Sequence, residues 1–69
     1  RDLDILRFLM RLRETGMPIH QVREYAQLAE GGPQTVEARF RLLVEHRESV
    51  LQQIETLKRN LAVLNFKIE

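Results

Sequence analysis

The feature that most constrains this chain is a stripe of apolar residues in its second half. Val36, Phe40, Leu43, Val50, Ile54, Leu57, Leu61, Leu64 and Ile68 follow one another, once Arg47 is counted in, by alternating steps of four and three. That spacing keeps one side of a helix turned toward a partner helix over several heptads. A helix carrying the whole stripe, from about Pro33 or Thr35 to Ile68, would be roughly 50 Å long. Globular helices usually run three or four turns. The residues before the stripe are too few to fold back over such a rod. It therefore calls for a second long helix, most simply from another copy of the chain.

Size and composition lead the same way. A chain of 69 residues buries only a small core, and chains of this size commonly lean on disulfides, a metal or oligomerisation. There is no cysteine, which removes disulfides and thiolate metal sites and fits a reducing, cytoplasmic setting. Eleven Lys and Arg against ten Asp and Glu give a net charge of +1, which is not the footprint of a self-sufficient nucleic-acid binder. No apolar run approaches the ~18 residues of a membrane span, and no signal-peptide pattern is present. The expectation is a soluble, cytoplasmic protein with no membrane partner. Because the chain starts at Arg1 and its heptads are still running at Glu69, both ends are expected to be cut from something longer.

Gly16 and the run Gly31-Gly32-Pro33 divide the chain into three helical segments, with no plausible strand. Asp2 or Asp4 can cap the first helix. Its apolar face is Ile5, Phe8, Leu9 and Leu12, with Leu6 on the shoulder and Arg7, Arg11 and Glu14 opposite. Gly16 ends it, as the residue that takes positive φ after the last turn. Only Met17 and Pro18 separate it from the second helix, so the link is a tight corner between packed helices. Ile19, Val22, Tyr25, Ala26 and Ala29 make the second buried stripe, leaving His20, Arg23, Glu24, Gln27 and Glu30 outside. The expected fold class is all-α, with two short packed helices in residues 1–32 and one long dimerisation helix in residues 33–69.

Taken one by one, the remaining candidates admit two readings each. Arg47 is a charge inside an apolar seam. It either selects register by pairing with a partner's Glu, or with Glu48 or Glu55 near the crossing, or it lies in water where the helices diverge. Arg13, near the end of the first helix, can lay its stem along Leu6 and Leu9 while the guanidinium reaches outward; on position alone it is a solvated arginine at a helix C-terminus. His20 and His46 lie on different helices with no third ligand at metal spacing, and read as solvated imidazoles. Tyr25, Phe8, Phe40 and Phe66 read as packing residues. Phe66 stands off the seam and forms a second apolar patch with Ala62 and Val63. There is no Cys nucleophile, no Ser or Thr coupled to a His, no Gly-rich phosphate loop and no ligand pair, so no enzyme activity, metal or cofactor is expected.

Two stretches carry a resemblance. From Leu6 to Tyr25 the chain reads as an apolar and basic helix end, Met10-Arg11-Leu12-Arg13-Glu14-Thr15, followed by the corner Gly16-Met17-Pro18-Ile19-His20-Gln21-Val22-Arg23. From Thr35 to Arg47 it reads Thr35-Val36-Glu37-Ala38-Arg39-Phe40-Arg41-Leu42-Leu43-Val44-Glu45-His46-Arg47. In order and spacing these resemble the second wing and the start of the dimerisation helix of MerR-family transcription regulators, and the resemblance covers nearly the whole chain. It implies a homodimer joined by an antiparallel coiled coil, DNA as a partner of the full-length protein, RNA polymerase as a further partner, and a small-molecule effector of unknown identity. The heptads alone serve parallel and antiparallel pairs equally; the resemblance chooses antiparallel. The family's amino-terminal helix-turn-helix and first wing would lie before Arg1.

Carried over by position, the resemblance makes Arg13, and less firmly Arg11, contacts to a DNA phosphate. It makes Val36, Phe40, Leu43, Arg47, Val50, Ile54, Leu57, Leu61, Leu64 and Ile68 the dimer interface. An effector pocket between the first two helices and the partner's long helix would be lined by Tyr25, Leu28 and Phe66. The competing reading is a self-contained helical adaptor whose coiled coil captures a different protein. A helix-turn-helix encoded directly before Arg1 would support the regulator, and a start codon there the adaptor.

Overall fold

A computed structural model describes residues 2–69, except for the side chain of Asp2, so capping by that carboxylate lies outside the described residues. The chain forms α1 (Asp2–Glu14), α2 (Ile19–Glu30), a single 3-10 turn (Pro33–Thr35) and α3 (Val36–Ile68), with no strand among the described residues. The all-α expectation of two short helices followed by one long one therefore holds. Asp4, the other proposed cap, lies within the first turn of α1.

The end of α1 shows how sequence becomes a corner. Gly16 has φ +97°, a conformation that a Cβ disfavours. With Gly16 so placed, its N–H donates to Arg13 O (3.1 Å) and the Met17 N–H donates to Leu12 O (3.0 Å). This paired closure is the Schellman arrangement, which also brings the residue after the glycine against the third residue from the helix end. Here those residues are Met17 and Leu12, and both are buried, Met17 completely. Pro18 then caps α2 with φ −58°, and its carbonyl accepts from Gln21 N (2.9 Å) and Val22 N (3.1 Å).

At the second break, Gly32 takes φ 87° and ψ −162°, a region open essentially to glycine alone. Pro33 follows at the start of the 3-10 turn, where its missing N–H costs nothing. The Thr35 hydroxyl bonds back to the Leu28 and Gly32 carbonyls. Arg39, half-buried, reaches the same point, donating from Nε to Thr35 Oγ1 (3.0 Å) and from its terminal nitrogen to Gly32 O (3.3 Å). The three-residue hinge expected from Gly31-Gly32-Pro33 is thus a stitched joint.

The core is small. Leu12, Met17, Val22 and Tyr25 are buried, with Leu9, Ala29, Leu42 and Leu43 packed around them. Phe8 meets Tyr25 with ring centroids 5.4 Å apart and planes tilted by 56°, one of the favoured aromatic geometries. Three residues expected on buried stripes are more open: Ile5, Phe8 and Ile19 are all exposed. The reason is coverage. The core forms around the end of α1, and toward its start Ile5 borders a groove against α2 instead of a closed core; the exposure of Ile19, at the first turn of α2, has no such explanation.

The molecule measures 53 × 23 × 18 Å, and its length is that of α3. From Leu51 to Glu69 every residue is exposed. The long helix thus leaves its own chain behind after about its midpoint.

Candidate nucleic-acid interface

The corner between α1 and α2 gathers the candidate DNA-contacting residues. Arg13 lies in the last turn of α1, exposed, and its guanidinium donates to Met17 O at 3.3 Å across the corner. The side chain is therefore tethered at one nitrogen while its other N–H groups stay available. Arg11, two residues earlier, sits 3.5 Å from the Glu14 carboxylate in an exposed pair, which contributes little to stability. Sequence pattern does not reveal this backbone hydrogen bond of Arg13.

Beneath the corner lies α3. His46 Nε2 is 2.7 Å from Thr15 Oγ1, and Gln53 Nε2 donates to Thr15 O at 2.9 Å. The reading of both histidines as solvated imidazoles fails at His46, which is half-buried and bonded across 31 positions of chain. His20 stays exposed on α2. Among the described residues, no group of three His, Cys, Asp or Glu could hold a metal ion.

α3 carries two different faces. Leu42, His46 and Gln53 turn toward the chain's own α1 and α2, whereas the seam stands roughly 100° further around the helix over the same stretch. Leu43 and Val50 lie on the border and are half-buried; Leu43 packs on the chain's own core. The apolar seam residues Val36, Phe40, Ile54, Leu57, Leu61, Leu64 and Ile68 are 43–78% exposed. Arg47 is exposed and makes no ion pair among the described residues, where Glu37 pairs with Arg41 and Glu55 with Lys58. A straight helix drifts by about 20° per heptad against a seven-residue repeat. The stripe accordingly winds toward the inner face as it nears Ile68.

The three residues assigned to an effector pocket are not brought together within one chain. Tyr25 is in the core, and Leu28, one turn on, is half-buried and supplies the carbonyl that receives Thr35. Phe66 is 78% exposed near the free end of α3. A separate apolar groove of about 420 Å³ runs between α1 and α2, lined by Ile5, Leu6, Leu9, Ala26, Ala29 and Glu30. No described helix is long and apolar enough to cross a membrane.

Sequence reasoning missed Met17, His46 and Gln53. Met17 had a usable signal, because a glycine with positive φ after a helix commonly sends the next apolar residue back onto that helix. His46 and Gln53 had none: a polar residue on a long helix looks the same whether it meets water or a neighbouring loop.

The family model described as "MerR, DNA binding" matches residues 3–65. A protein from Haemophilus influenzae called an uncharacterized HTH-type transcriptional regulator is 34% identical over 68 residues, covering 99% of this chain and 50% of the relative. The chain thus spans about half the length of that relative. No solved structure matches it closely enough to count. A match running from the start of α1 almost to the end of α3 takes in the corner, the stitched joint and the seam together, and the chain belongs to the MerR DNA-binding family.

Proposed function

We propose that this chain is the dimerisation and DNA-positioning segment of a MerR-type transcription regulator that responds to a small-molecule effector and acts on RNA polymerase. Residues 1–32 form the helical pair at the end of a winged-helix DNA-binding unit, and residues 33–69 the dimerisation helix. The observation that carries the reading is the bare seam: a member of this family exposes most of an apolar stripe along a 33-residue helix. Two copies joined antiparallel through that seam would set the separation of two α1–α2 corners. The transcriptional role is supported by the name of the Haemophilus influenzae relative.

Helix direction has a direct test. In an antiparallel pair, like positions near the helix end lie far apart, whereas a disulfide needs Cα atoms within about 7 Å. The Ile68→Cys chain is expected to stay reduced between partners under mild oxidation. Ready cross-linking of the dimer would mean parallel helices.

Within this reading Arg13 is the phosphate contact of each corner, with Arg11 a weaker second. Such contacts position a protein on the duplex and supply salt-dependent affinity without reading bases. In the intact protein, Arg13→Gln is expected to weaken binding to a mixed-sequence duplex and to flatten the dependence of log affinity on log salt by about one for each phosphate left without its arginine. Arg13→Lys, which keeps the charge, should restore most of the slope. An unchanged slope in Arg13→Gln would remove Arg13 from the interface.

A further inference from the structure

Residue 15 is held by α3 at two points, and the two points are chemically distinct. The Thr15 hydroxyl lies 2.9 Å from Arg11 O and 3.1 Å from Leu12 O, at the open end of α1. A hydroxyl has one proton and two lone pairs. With that proton assigned to the carbonyls of the helix end, the oxygen is left to accept from His46 Nε2, 2.7 Å away, in the tautomer that carries its hydrogen there. The Thr15 carbonyl in turn receives Gln53 Nε2–H at 2.9 Å. His46 and Gln53 are seven positions apart, two turns along the same face of α3, so both grip the same residue from one helix surface.

Gly16 completes the fit. A Cβ placed there would come 3.2 Å from Gln53 Nε2, closer than most side chains stand, so the absence of a side chain leaves room for the Gln53 amide nitrogen. The corner is also anchored by the fully buried Met17, whose carbonyl holds Arg13. Among the described residues, these two are the only side-chain hydrogen bonds that join α3 to the end of α1.

From this we infer that His46 and Gln53 are positioning residues: they latch the α1–α2 corner to the long helix at a set angle, and so place Arg13, whose own hydrogen bond goes to the corner, at a set distance from the dimer seam. The inference rests on the reading of Arg13 as a phosphate contact. Without the latch the corner keeps its apolar packing on Leu42 and Leu43 but is free to turn about it, and the two Arg13 side chains of a dimer lose their common spacing.

The test uses the intact protein and two neutral variants that remove the donors while keeping size: Gln53→Met, and the double variant His46→Leu with Gln53→Met. His46→Gln serves as the conservative control, since its amide N–H can stand where Nε2–H stood. The double variant should keep its helix content, melt somewhat lower for want of two hydrogen bonds, exchange the amide protons of residues 15–17 faster, and bind a mixed-sequence duplex about tenfold more weakly, because the released corner must be re-ordered on the DNA. His46→Gln should bind like the unaltered protein. Unchanged amide exchange at the corner would overturn the latch itself. Wild-type DNA affinity in the double variant, with Arg13→Gln still weakened, would overturn the positioning role and leave the reading of Arg13 standing. Full affinity in both would sink that reading, and the inference with it.

Discussion

Sedimentation equilibrium of a Leu57→Glu chain is expected to return a monomer at concentrations where the unaltered chain is a dimer. Leu57 is 67% exposed, on the part of α3 that its own chain does not cover. Within one chain the substitution is therefore nearly silent, because glutamate is a good helix former and remains in water. Between two chains it is not. A carboxylate carried into an apolar seam loses its hydration without gaining a partner, and an uncompensated buried charge costs about 3–5 kcal/mol. Two copies of the substitution enter each dimer, so association should weaken by several orders of magnitude while circular dichroism of the helices changes little. If the unaltered chain were itself monomeric across a wide concentration range, the seam would be serving a different partner, as in the adaptor reading.

Met17→Ala should be the most damaging single substitution within the chain. Met17 is fully buried among Leu12, Val22 and Tyr25, and truncating a buried methionine to alanine typically costs about 2–5 kcal/mol. Whole domains are stable by only about 5–15 kcal/mol, and this core has four buried side chains, so little remains to compensate. Tyr25 is the sole tyrosine in a chain without tryptophan, and its fluorescence reports on this core directly. Urea titration followed at Tyr25 should show the midpoint of Met17→Ala far below that of the unaltered chain. Met17→Leu, close in volume, should stay within about 1.5 kcal/mol. A midpoint unmoved by Met17→Ala would mean that the core does not depend on the corner.

These two substitutions also mark where the sequence could be read and where it could not. Leu57 belongs to a periodic pattern, and periodicity is a local property: steps of four and three place side chains on one face whatever surrounds the helix. The breaks at Gly16 and at Gly31-Gly32-Pro33 are equally local, since positive φ and a missing N–H act within a few residues. Helix number, helix order and the long α3 were legible for that reason. Met17 was legible only in part. Between a glycine and a proline it looks like linker, and only the Schellman closure, with Met17 N–H on Leu12 O, turns it into the centre of the core. Ile5, Phe8 and Ile19 fit their amphipathic stripes and yet remain exposed, because a stripe says which side a residue faces and not whether anything lies over it.

By itself, then, the sequence determined the elements: where helices start and stop, which residues share a face, and that α3 carries a stripe too long for its own chain to cover. Tertiary structure alone decided how α3 divides its surface. Leu42, His46 and Gln53 serve the chain's own corner, while Phe40, Leu57 and Leu61 stay bare. Both faces run along one helix at heptad spacing, so no pattern in the residues separates them. The choice follows from the angle at which the Gly16 corner and the Thr35–Arg39 joint bring α1 and α2 down on α3, and a hydrogen bond such as His46 to Thr15, across 31 residues, exists only once that angle is set.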